Sequence, residues 1–351
     1  MTRSAACFLA CTIIAAVVFV SCKKGTPASM IEERREGIMG TRISVKVWSP
    51  GGSKWEVTTR EGIEAAFDAA REVQSRMSPY DPTSAVSRVN AAAGGEAVEV
   101  DSWTWEVLDA SVKASRLTRG AFDPTWAALA DIWDYRAPDP APPSKDEVEE
   151  RLALVGVRGL EMDAGHRTVR LARTGMRIGL GGSAKGFALD RMAEALRERS
   201  LEDFICYAGG DLYVSGRSGD RPWKLGIQHP RDAGELLARY PVTRSMAVVT
   251  SGDYERFFMH RGTRYHHILD PRTGFPARGT MSVTVMAPAG LEADALSTGL
   301  LILGAEEAFS LLAGLEEVEA VIVDEAGKVH CSSGICDLLE MVAEGYAMIR
   351  H

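Results

Sequence analysis

The sequence predicts an α+β fold, with largely antiparallel sheets packed against helices, on three observations. Past residue 143, strand-like runs mostly follow one another with few helices between them, which favours adjacent pairing over a doubly wound sheet. Before residue 137, helical periods dominate. The whole chain of 351 residues is 46% hydrophobic and 25% charged, an ordinary globular composition able to bury a large core. The net charge of −8 argues against a nucleic-acid binder, which needs a concentrated basic surface, while leaving room for a local basic pocket.

The N-terminus reads as a targeting segment. Arg3 precedes an apolar run over residues 5–20 that is short for a membrane span, and the run ends at Phe19-Val20-Ser21-Cys22, which resembles a bacterial lipobox. On this reading residues 1–21 are a signal peptide, Cys22 carries lipid, residues 22–30 form a polar tether, and residues 31–351 form one domain. The protein is then expected on the periplasmic side of the cell envelope, anchored at the inner membrane. An uncleaved anchor and an ordinary signal peptide are the alternatives, and both still export the chain. Cys331 and Cys336 form either a local disulfide or two unpaired core thiols, and a lone C-x₄-C pair lacks the ligands of a zinc site.

The elements follow in order. Residues 41–48 alternate Ile43, Val45 and Val47 with polar neighbours, a half-buried strand. Ile63, Phe67, Ala70, Val73 and Met77 then fall at helical spacing, and a second helix spans about residues 101–118 before Gly120. Asp123-Pro124 opens a short third helix. The Pro-rich residues 137–143 are a surface linker, closed by a capping-box signal at Ser144 and Glu147 for a helix to about residue 154. Strands are predicted at 168–171, 204–207, 212–215, 224–227, 246–249, 265–269 and 282–286, and a hairpin at 318–323 and 328–331. Helices are predicted at 183–199, 292–303 and 306–312.

Three segments carry candidate chemistry. Residues 179–186, GLGGSAKG, follow a short strand and open a helix, so their amides and Lys185 can face an anion; the spacing is neither a Walker A loop nor G-x-G-x-x-G. Asp294 and Thr298 lie four residues apart on one helix face, two hard oxygen donors suited to Mg²⁺. His266 and His267 are adjacent in a predicted strand, so only one enters a given cleft, where an imidazole titrating near neutrality can deprotonate a hydroxyl. A tight glycine turn, a helix cap and a structural histidine are the corresponding structural readings.

Taken together, the motifs resemble the ApbE family of FAD:protein FMN transferases. They are MGT at 39–41, S-x-Y-x₃-S-x₂-S-x₂-N at 78–90, G-x-FDPT at 120–125, LGG-x-AKG at 180–186, GGD at 209–211, TSGDY at 250–254, HHILDP at 266–271 and AD-x₃-T at 293–298. The resemblance implies a T-fold-related architecture with FAD in a central cleft, and Mg²⁺-dependent transfer of FMN from FAD to a threonine of an acceptor flavoprotein, with release of AMP. The acceptor would belong to an exported or membrane redox complex. It further implies that Met39, Tyr80, Ala121, Phe122, Asp123, Lys185 and Ile268 line the FAD site. Asp294, Thr298 and the Gly182 carbonyl would hold the metal with Ser297 nearby, and His267 would be the catalytic base. One departure is Gly179, where family members commonly carry Asp before Leu-Gly-Gly. The competing readings are a Mg²⁺-dependent FAD pyrophosphatase and a flavin-binding lipoprotein without catalysis.

Overall fold

Strand runs of β-branched and aromatic residues build one large sheet. A computed structural model describes residues 28–351; residues 1–21, Cys22 and most of the tether lie outside the described residues. Among the described residues, nine strands pair in the order Ser29–Ile38, Thr41–Ser49, Phe204–Ala208, Asp211–Ser215, Met246–Gly252, Thr280–Ala287, Glu319–Asp324, Lys328–Cys331 and Ala347–Arg350. Every neighbouring pair is antiparallel except the last. Sequence-adjacent strands thus pair directly, as an α+β chain requires.

Both faces of this sheet are covered, and the period-two alternation divides its side chains between them. On one face pack helices α1 (Ser53–Met77), α5 (Ala184–Arg197) and α6 (Gly290–Leu303), where Phe67, Leu189, Met192 and Leu300 meet Val45, Phe204 and Val285. On the other face Val214, Val248 and Met286 meet Leu225, Leu237 and Tyr240 of a three-stranded sheet, Lys224–Gln228, Leu236–Pro241 and Glu340–Met341. Helix α3 (Ser102–Leu117) and the shorter α2 (Ala85–Ala91), α4 (Lys145–Leu152), α7 (Ala305–Leu312) and α8 (Ser333–Cys336) are the remaining α-helices among the described residues.

Several expectations shift. The strand Ser29–Ile38 takes in the last two residues of the expected 22–30 tether, so the folded body starts at Ser29. The expected strand over 265–269 ends at His266, opposite Phe257 at the start of its partner strand Phe257–His260, and Leu269 turns to bridge Pro276 instead. The helix opened by Asp123-Pro124 is 3₁₀ over Pro124–Ile132. The capping box at Ser144 and Glu147 forms reciprocally at the start of α4, and Cys331 and Cys336 are joined as a disulfide. Among the described residues no helix is long and apolar enough to cross a membrane.

Candidate active site

Two glycines bring the N-terminal ends of α5 and α6 into contact. A methyl on Gly186 would lie 1.9 Å from the Gly290 carbonyl oxygen, and one on Gly290 would lie 2.3 Å from the Gly186 oxygen. No other residue type fits such an approach. The Asp190 carboxylate, four residues on in α5, then accepts the amides of Gly290 and Leu291 at 2.6 and 2.9 Å and caps α6. One turn into α6, Asp294 reciprocates by accepting the Gly186 amide at 2.9 Å, placing an anion at the positive end of α5.

Lys185 stands beside this junction and pairs with Asp211, with Asp294 3.7 Å away. Asp211 is the first residue of its strand, after the left-handed turn Gly209-Gly210, and its second oxygen accepts the Thr250 amide at 3.1 Å. Asp294 is only 3% exposed. Burial pulls the Lys185 ammonium down, but Asp211 and then Asp294 outweigh it and hold the group above its ordinary value. Burial raises the Asp294 carboxyl, Lys185 opposes this, Asp211 adds to it, and the net direction is up. Two buried carboxylates, Asp211 and Asp294, thus flank the single ammonium of the half-buried Lys185, an arrangement that suits a cation.

Oxygen donors continue along α6. The Ser251 hydroxyl lies 2.9 Å from that of Ser297 and 3.4 Å from that of Thr298, while Ser297 donates to the Asp294 carbonyl at 2.9 Å. A methyl on Gly182 would stand 3.1 Å from the Thr298 hydroxyl and 3.2 Å from the Phe122 ring, so these three expected site residues meet. The donors Asp294, Thr298 and the Gly182 carbonyl are all hard oxygens. No group of three or more His, Cys, Asp or Glu side chains able to hold a metal occurs among the described residues. Such a set fits an ion with few protein ligands that keeps water or phosphate oxygens.

The two histidines have opposite surroundings. His266 is 2% exposed; its Nδ1 accepts the Ile268 amide at 3.3 Å, so Nε2–H donates to the Ala277 carbonyl at 2.8 Å. Both ring nitrogens are thus bound to backbone. His267 donates its amide to the Arg256 carbonyl at 3.0 Å, while its buried Nδ1 has no partner among the described residues. Burial, then the charges of Arg256, His266 and Lys185, press its pKa down to about 4 rather than leaving it near neutrality. The imidazole is neutral at pH 7 and has a free lone pair or N–H to offer. The Lys185 charge reaches His267, which ties this loop to the α5–α6 junction.

The remaining expected residues divide. Ala121 and Ile268 are buried in the core under α5 and α6, and Met39 packs between this core and its neighbour, with a left-handed backbone and its amide on Gln74. Phe122 packs on Ala114 and Ala295. The Asp123 carboxylate is fully engaged inside the protein, accepting from Thr125 and from the Val157 amide, so it shapes the loop that carries Phe122. Tyr80 is not brought into the group: its ring is 94% exposed on the loop between α1 and α2. Gly179 has no room for a side chain, because a methyl there would lie 2.9 Å from the Ala127 Cβ, and the Trp126 indole donates to its carbonyl at 3.2 Å. Two surface hollows of about 390 and 510 Å³ exist, and neither is lined by Lys185, Asp294 or His267. Asp211 and Ser251 are not among the expected site residues, although each lies in a matching motif, GGD at 209–211 or TSGDY at 250–254.

The sequence model of the ApbE family matches residues 39–322. A FAD:protein FMN transferase of Treponema pallidum is 32% identical over 332 residues, covering 90% of this chain and 91% of that protein. One of Haemophilus influenzae is 29% identical over 306 residues, covering 84% and 86%. The crystal structure of the ApbE protein of Thermotoga maritima superposes with a TM-score of 0.79 at 33% identity, covering 88% of this chain and 99% of that one. The flavin transferase ApbE of Vibrio cholerae gives 0.76 at 26%, covering 89% and 100%. With the match spanning both the α5–α6 junction and the His267 loop, this chain belongs to the ApbE family.

Proposed function

We propose that this protein transfers FMN from FAD to a threonine hydroxyl of an acceptor flavoprotein and releases AMP. The observation that carries the reading is His267, whose buried Nδ1 is left unpartnered among the described residues, within the electrostatic influence of Lys185. A protein that merely held flavin would have no use for a free base there. Relatives named FAD:protein FMN transferases support the same assignment. Met39, Phe122, Lys185 and the loop shaped by Asp123 would contact FAD, with Ala121 and Ile268 backing that wall, and Tyr80 would close over the flavin from its exposed loop.

Asp294, Thr298 and the Gly182 carbonyl would hold Mg²⁺, with Ser297 supporting Asp294 through its carbonyl. When bound, the ion would neutralise charge on the pyrophosphate oxygens. Lys185 adds a second positive charge on the same phosphates. His267 takes the proton from the threonine hydroxyl; the threonine oxygen forms a bond to the FMN phosphorus; and the bond from that phosphorus to the bridging oxygen breaks, leaving with AMP. Positioning and charge stabilisation carry most of the barrier reduction.

The reading extends to location. Lipidation at Cys22 and a tether to about Ser29 would hold the body on the periplasmic face of the inner membrane, facing an exported redox complex. The Cys331–Cys336 disulfide supports an oxidising compartment. Incubating the purified body with FAD, Mg²⁺ and an exported flavoprotein domain should add one FMN mass to that domain and release AMP. AMP and free FMN without an adduct would instead make the protein an FAD pyrophosphatase.

A further inference from the structure

The hairpin that leads to His267 carries exposed apolar side chains on one face and an edge without hydrogen-bond partners among the described residues. Its strands, Phe257–His260 and Thr263–His266, pair only with each other among the described residues. The register sets Phe257 opposite His266 and Met259 opposite Arg264, so these four share one face. Phe257 is 39% and Met259 55% exposed, and the Arg264 guanidinium lies 4.0 Å over the Phe257 ring. Two exposed apolar side chains side by side on a hairpin are poor solvent neighbours.

The two edges of the hairpin differ. The Arg256–His267 hydrogen bond sets the ladder phase, so the main-chain groups of Phe257 and Met259 point outward on one side and those of Arg264 and His266 on the other. The second edge is closed: Arg278 donates to the Arg264 carbonyl at 2.7 Å and the Tyr135 hydroxyl to the His266 carbonyl at 2.9 Å. The first has no hydrogen-bond partner among the described residues. A bare edge beside a catalytic base is a template for an added strand.

Charge narrows the occupant. Between residues 256 and 278 the chain carries five arginines and a single carboxylate, Asp270, within a protein of net charge −8. Arg272 is paired to Asp270 at 2.9 Å, whereas exposed Arg256 and Arg261 have no carboxylate partner among the described residues. We propose that the outer face and open edge of this hairpin dock the acceptor protein, taking an extended segment with apolar and acidic side chains next to the threonine that receives FMN. This rests on the transferase reading. A membrane on the same face would occupy the edge that continues into the Arg256–His267 pair and shut the acceptor out, so an anionic lipid surface is the weaker occupant.

The test titrates the acceptor flavoprotein domain against wild type, Phe257→Ser/Met259→Ser and Arg261→Glu at saturating FAD and Mg²⁺, reading FMN adduct by mass. Both variants should raise the acceptor KM about 10-fold, with the FAD dissociation constant and kcat near wild type. Added salt should weaken wild type more than Arg261→Glu. An unchanged KM in both variants, a parallel rise in the FAD constant, or loss only of binding to anionic vesicles each overturns the docking surface. Wild type that transfers nothing removes the transferase reading, and the docking surface with it; the wild-type lane therefore separates the two failures.

Discussion

The α5–α6 junction and the His267 loop lie within electrostatic reach of each other yet are built on opposite principles. At the junction every charge has a partner: Asp190 caps α6, Asp294 binds the α5 amide, and Lys185 lies between Asp211 and Asp294. In the loop His266 is bound at both nitrogens, but His267 is left with an open Nδ1, next to arginines without carboxylates and an unpaired strand edge. On the proposed reading the junction, where two glycines let the helices touch, would take ligands that bring their own charge, a cation and a pyrophosphate. On the same reading the loop would serve a partner that arrives later. The contrast separates binding of FAD from its use.

The largest effect should come from the junction. Asp294→Ala should abolish FAD cleavage, because it removes the buried carboxylate that caps α5 and, on the proposed reading, would be the charged metal donor. Uptake of Mg²⁺ by the apo protein, followed by calorimetry, should vanish with it. Full turnover of Asp294→Ala at limiting Mg²⁺ would show that the junction is structural only and dissolve the contrast.

In the loop the same comparison runs between two neighbouring histidines. His267→Ala should still bind FAD yet lose about 10²- to 10⁴-fold in transfer rate, the usual share of a general base. His266→Ala should act on the fold instead, costing roughly 2–4 kcal/mol through a cavity and two backbone groups left without partners. Denaturant midpoints distinguish the two: His267→Ala near wild type, His266→Ala clearly lower, with turnover largely kept where it remains folded. The reverse pattern would exchange their roles.

This division was partly legible in the sequence. The helical spacing of Asp294 and Thr298 needed only periodicity, and the capping box at Ser144 is local chemistry. What escaped were features set by distant contacts. The edge strand Ser29–Ile38 is too charged to announce itself; its pairing with Thr41–Ser49 and ion pairs such as Arg35 with Glu64 hold it in place. Gly186 and Gly290 are unremarkable 104 positions apart until the helices touch. Nothing in the sequence ties Asp211 to its partner Lys185, which comes 26 residues earlier. The depressed pKa of His267 is a property of burial, which no spacing encodes.

That pKa gives the smallest and most direct probe of the loop in the apo protein. His267 titrates at about 4 in the folded chain against an ordinary value of 6.5, so between these pH values the unfolded chain binds the extra proton. Stability is therefore complete above pH 6.5 and falls as pH drops toward 4, by on the order of 2 kcal/mol at pH 4.5 for this group. His266, also lowered by burial, adds a loss of the same sign. Urea denaturation at pH 7 and pH 4.5 should show wild type losing more stability than His267→Gln, since glutamine removes the titration and keeps a polar side chain in the same place. Equal losses would mean that the His267 ring is solvated in the free protein, and that its open nitrogen faces water rather than a dry site awaiting the acceptor hydroxyl.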